Sequence, residues 1–144
     1  VLFRSNQILM DKNAPQDDLQ MASMIQFHNI IDSKDTVAAM VILTKLQKMS
    51  NSQITAEAHY QIALLQYETG KYNLAEKTAF DVVKKQAAYP YWVTKAYLLL
   101  GDIYVAQKDV FNATATFKSV FENADIQELK NVAEQKLNAL NAKQ

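Results

Sequence analysis

The chain of 144 residues contains no cysteine, which removes disulfides, thiolate nucleophiles and Cys-ligated metal sites together. Glycine and proline are almost as scarce, with only Gly70, Gly101, Pro15 and Pro90. Two isolated glycines cannot build a phosphate-cradling loop, and so few breakers among abundant Ala, Leu, Lys, Gln and Glu favour helix throughout. Neither charge is in excess: fifteen basic and fifteen acidic residues cancel. With no global field and no run of Lys or Arg, nothing here draws in nucleic acid or an anionic membrane. The longest charge-free apolar run, residues 37–43, falls far short of the ~20 residues that cross a bilayer.

Histidine is limited to His28 and His59, and neither has a partner at metal-ligand spacing. Both read as packed core imidazoles. Adjacent Asp17 and Asp18 would face different ways on a helix and serve as first-turn charges favourable to its dipole. No acid, base and nucleophile can be assembled, so the expectation is a protein without catalysis, cofactor or metal. What is present is ordinary globular material, 49% hydrophobic and 21% charged, in a length suited to one domain.

Residues 1–16 are poorly patterned, and Val1–Ser5 (VLFRS) is also the translation of a common sequencing adaptor, so nothing is built on it. The start lacks an initiator Met and a signal-peptide core, as expected of a piece of a longer protein. Residues 17–142 read as a helical repeat domain. A first helix carries Leu19, Met24, Phe27 and Ile31, turns at Asp32-Ser33-Lys34-Asp35, and leads to a second through Val37, Val41, Leu43 and Leu46 that ends near Met49-Ser50-Asn51-Ser52. Ser52 or Thr55 can cap the next helix, which runs through Ala58, Ile62, Ala63 and Leu65 to a left-handed end at Gly70. Tyr72, Ala75, Ala79 and Val83 line its return helix, and Pro90 opens the next one from its first turn. Ile126, Leu129, Ala133, Leu137 and Leu140 form the apolar stripe of a half-polar last helix, with Asp125 and Glu128 spaced as a capping box. That helix would close the end of a stack, with Gln144 as the chain end.

A repeat is visible by arithmetic: Ala75 and Ala113, Ala63 and Gly101, and Ile62 and Leu100 are each 38 residues apart. In the first hairpin, Ala38 and Ala39 compete as the counterpart of Ala75, which leaves its register open. Gly101 sits mid-stripe, where it costs about 1 kcal/mol relative to Ala. A close approach of the partner helix, opened from the other side by Ala113, explains it.

Tyr97, Leu100, Gly101 and Tyr104 follow aromatic-x-x-L-G-x-x-Y, and Ala113 and Phe117 follow A-x-x-x-F. This resembles the tetratricopeptide repeat (TPR) family, stretched beyond its period of about 34 by the segment 86–90. His59, Gln66, Ala79 and Lys108 depart from the pattern, the last standing where a turn glycine is usual. The resemblance implies an all-α solenoid of about three stacked hairpins plus a C-terminal capping helix, acting as a protein- or peptide-binding scaffold without catalysis. The first helix of each hairpin would then line the concave groove with Glu57, Tyr60, Leu64, Tyr67 and Glu68, then Lys95, Leu98, Asp102 and Val105. Exposed Tyr and Leu there would suit an apolar peptide or helix. Chaperone-binding members clamp a terminal carboxylate with Lys, Arg and Asn, but here only Lys95 is basic. An alternative expectation is a structural spacer, or self-association through the N-terminal end. The run 89–109 resembles long TPR proteins of bacterial envelopes, near their C-terminal part, which leans the compartment toward periplasm or envelope.

Overall fold

A computed structural model describes residues 1–49 and 52–142. Ser50, Asn51 and Gln144, named above as a helix end and a chain end, lie outside the described residues. Among the described residues eight helices follow one another: α1 (Leu2–Met10), α2 (Gln16–Asp32), α3 (Thr36–Leu46), α4 (Gln53–Glu68), α5 (Tyr72–Lys85), α6 (Pro90–Ala106), α7 (Val110–Asn123) and α8 (Gln127–Asn141). The weakly patterned start thus includes a short helix, α1, packed on α2.

Turn chemistry sets the period. Lys34, Gly70 and Lys108 all have positive φ, at 62°, 76° and 63°, and each is followed by the N-cap of a return helix. Asp35 and Asp109 cap by accepting from the amides of Ala38 and Asn112, both at 3.0 Å. These three turns settle the open register: the first interval is 36 residues and the second 38, so Ala39, not Ala38, pairs with Ala75 and Ala113. All three alanines are fully buried. The same intervals align Leu43, Ala79 and Phe117, then Leu46, Val82 and Val120, and on the first helices Ala22, Ala58 and Ala96, every one buried.

α2, α4, α6 and α8 pack side by side in chain order, whereas the backbones of α3, α5 and α7 do not come close to one another. First helices that meet while second helices splay apart give a curved stack, with the first helices on its inner face. The chain is therefore an α-solenoid of three hairpins, and α8 sits against α7 and α6 as the first helix of a fourth unit would. Each core is shared between neighbours: α4 gives Ala58, Ile62 and Leu65 to the first cluster and Ala56, Tyr60 and Ala63 to the second. Leu98 of α6 joins the third, with Phe117, Leu129 and Leu140.

Several local expectations are corrected. Gly101 makes room for the Phe117 ring rather than for Ala113, since a Cβ there would collide with that ring. α8 is preceded by Ile126 with no side-chain cap bond, so Asp125 and Glu128 do not form a capping box. Tyr97 is exposed, because Ala124 occupies the register at which Gln86 covers His59 in the preceding hairpin.

Candidate functional site

Registered stacking brings four rows of side chains to the inner face. They are Met21, Glu57 and Lys95; Met24, Tyr60 and Leu98; His28, Leu64 and Asp102; and Ile31, Tyr67 and Val105, each row spaced by 36 and 38 residues. The sequence-expected groove residues other than Glu68 are the second and third members of these rows; Glu68 is exposed at the end of α4 beside Tyr67. The first-hairpin members went unrecognised because that hairpin's register could not be fixed from sequence.

The C-terminal half of this face is largely occupied by the chain itself. Tyr60 is 6% exposed and packs on Trp92, ring centroids 5.6 Å apart. The Lys95 ammonium lies 5.2 Å from the Tyr60 ring centre, 5.8 Å from Tyr91 and 6.0 Å from Trp92, a cation held over three electron-rich faces. Burial, with Asp102 nearby, pushes the Tyr60 hydroxyl well above its usual range, so it stays a neutral phenol. Leu98, also 6% exposed, is roofed by α8. Asp102 accepts two hydrogen bonds from the Lys136 ammonium of α8, at 2.7 and 2.9 Å. Tyr60 and Leu98, expected on an exposed surface, are therefore core residues. Spacing alone could not reveal this, because the neighbours that cover them, Trp92 and α8, lie elsewhere in the chain. Leu64 and Tyr67 are half-buried against the second cluster, with Tyr67 5.7 Å from Tyr72, while Val105 is exposed.

The N-terminal half is open. Between α2 and α4 lies a cleft of about 630 Å³, lined by Met21, Met24, Ile25 and Ile54 with Asp17, His28 and Glu57 among its polar members. His28 is exposed, not a core imidazole, and its Nε2 stands 3.6 Å from Glu57. It occupies an inner-face row that points away from the hairpin core. Partial burial raises the Glu57 carboxyl above its ordinary value, an effect opposed by His28 and Lys95. His59 does pack inside, 3.5 Å from the Gln86 amide, and burial lowers its pKa. Among the described residues no three His, Asp or Glu side chains come together as a metal site, and no helix is long and apolar enough to cross a membrane.

Comparison with curated proteins and with solved structures gives no match. The sequence model of the family described as "Tetratricopeptide repeat-like domain" matches residues 2–142. With the match running through all three hairpins and both flanking helices, and with the buried Ala-to-Phe and Gly-to-Phe packing of the third hairpin as its structural counterpart, the chain belongs to the tetratricopeptide repeat-like family.

Proposed function

We propose that this chain is a non-catalytic scaffold that takes up a protein or peptide segment on its inner face, chiefly in the cleft between α2 and α4. The observation that carries this is the contrast between the two halves of one registered surface. Lys95, Tyr60, Leu98 and Asp102 spend their contacts within the chain, whereas Met21, His28 and Glu57, in the same rows, face an open cleft. Methionine is unbranched and polarisable, so the exposed Met21 can fit apolar anchors of varied shape, with Met24 buried beneath it as part of the first core. Glu57 and Asp17 supply the polar rim, and Glu57, Leu64, Tyr67 and Val105 extend the contact along the stack.

The test is selection from a displayed random-peptide library followed by affinity measurement on variants. Peptides with apolar anchors should be enriched, and Met21→Asp should weaken them at least ~10-fold, about 1.4 kcal/mol, because a carboxylate would stand in the apolar floor. Lys118→Asp on α7, exposed and remote from the cleft, should leave them unchanged. No enrichment, or enriched peptides indifferent to Met21→Asp, would remove the assignment and favour a spacer within a longer solenoid.

A further inference from the structure

A second groove, sharing no residue with the α2–α4 cleft, lies where the first hairpin meets the second. It encloses about 500 Å³ and is walled by Val37, Met40, Val41 and Thr44 of α3 and floored by Leu65 of α4 and by Thr69, which follows it. The repeat supplies an internal comparison. At the next junction, between the second and third hairpins, the positions in register with Val37 and Met40 are Asn73 and Glu76. Those two close the junction: the Gln107 amide donates to Asn73 at 3.1 Å and to Glu76 at 3.4 Å, and the Tyr104 hydroxyl reaches Glu76 at 3.5 Å. At the first junction Gln107 is replaced by Thr69, the C-cap of α4, whose hydroxyl donates to Leu65 O at 2.8 Å in the last turn of that helix. The polar strap is absent and apolar side chains stand in its place.

The consequence is an apolar helix in water. The segment TVAAMVILTKL of α3 is hydrophobic nearly all round, a pattern normal for a helix covered on every side. Its inner stripe of Ala39, Leu43 and Leu46 is buried, yet Val37 is 75% and Val41 52% exposed. The charged residues lining the groove are Lys45 and Lys71, and neither has an ion-pair partner among the described residues. Lys45 stands about 12 Å along α3 from Val37, at ~1.5 Å per residue. Lys71 follows the α4 turn beside the Val37 end, since α3 and α4 run antiparallel.

We infer that this groove docks an amphipathic helix from a protein partner, laying an apolar i, i+3/i+4, i+7 stripe along Val37, Met40 and Val41 with an acidic residue at each end. Such a stripe spans about 10 Å, which fits between two unpaired lysines. The inference is independent of the inner-face reading, as no residue is common to the two surfaces.

The probes are a lactam-bridged 15-residue helix with Leu at i, i+3, i+4 and i+7 and Glu at both ends, and its twin with Lys at both ends. Binding to the intact chain is read by fluorescence anisotropy. The acidic probe should bind about tenfold more tightly than its twin, an amount that two rim charge pairs can supply. The double variant K45E/K71E should reverse that preference, and V41E should abolish binding of both probes while thermal melting confirms the fold. Equal binding of the twins, loss of neither probe in V41E, or no binding at all would overturn the inference. A concentration-dependent dimer by light scattering that disappears in V41E would also overturn it, assigning the groove to a second copy. Binding of the chain to anionic vesicles that V41E removes would assign it to a membrane surface instead.

Discussion

Gly101 is the position where one side-chain carbon decides the packing of the third hairpin. A Cβ there would overlap the Phe117 ring, which is itself fully buried and cannot swing into solvent. Alanine regains about 1 kcal/mol of helix propensity, but forcing extra carbon into a filled core costs about 1 to 3 kcal/mol, so the larger residue must lose. Gly101→Leu, which adds four carbons against that ring, should therefore lower the free energy of unfolding in urea by about 1 to 2 kcal/mol. Combining it with Phe117→Ala should recover part of that loss, a non-additivity that only direct contact produces. Full additivity would mean that the two residues do not meet. The turn residues give the opposite sign. Lys34 and Lys108 hold left-handed backbone that costs a side-chain-bearing residue about 1 to 2 kcal/mol, while glycine adds about 0.4 to 1 kcal/mol of unfolded-state entropy to be lost. Lys108→Gly should thus raise stability by between zero and about 1 kcal/mol, whereas Gly70→Ala should lower it by a similar amount. Thermal melts of the two variants check both signs.

Among elements, α8 and the α2–α3 pair were legible to different degrees for physical reasons. The helices themselves, the third hairpin and the existence of a closing helix follow from apolar spacing, which a core-facing stripe must obey. The register of the first hairpin did not follow, because its marker is backbone conformation: Lys34 does the work that Gly70 advertises openly. Phe27 also stands at the position of Ala63 and Gly101, hiding the small-residue signal. Spacing could name positions on the first helices, but not whether each is exposed or covered, because coverage of Leu98 depends on α8 thirty residues onward. Two predictions belong here. The Lys136–Asp102 bond is about one-third exposed at each partner, so solvent screening limits it, and Lys136→Ala should cost no more than about 1 kcal/mol. That loss should show as faster hydrogen exchange in α8 before α4 or α5 changes. His59 behaves differently. Its folded pKa lies below the 6.5 of the free side chain, because burial beside Gln86 and the nearby Lys85 disfavour the charged form. The unfolded chain therefore binds the extra proton first, and the stabilising contribution is complete above pH 6.5 and lost as pH falls below it. His59→Phe should flatten that part of the stability profile; an unchanged slope would place the titration elsewhere.

At the scale of the whole molecule, the stack is a row of three cores joined by shared helices rather than one centre. α4 feeds the first and second clusters, and α6 the second and third, so neighbouring hairpins are coupled while the first and third meet only through the second. Such an arrangement makes stability a sum of hairpin and junction contributions. The two junctions are unequal. Asn73 and Glu76 tie the second hairpin to Tyr104 and Gln107, whereas the first junction has Val37 and Met40 facing an open groove. Damage to the first core should then stay local. Leu43→Ala removes a fully buried side chain and should cost about 2 to 5 kcal/mol. Native-state hydrogen exchange should report that loss in α2 and α3, with protection in α6, α7 and α8 changed by less than ~1 kcal/mol. The matching cut in the third core, Phe117→Ala, should instead lower protection in α4 and α5 as well as in α6 to α8, because the polar strap and the shared α6 transmit it backward. If Leu43→Ala lowered protection equally in every helix, the three hairpins would be unfolding as one body, and the weak first junction that leaves α3 open would have no energetic counterpart.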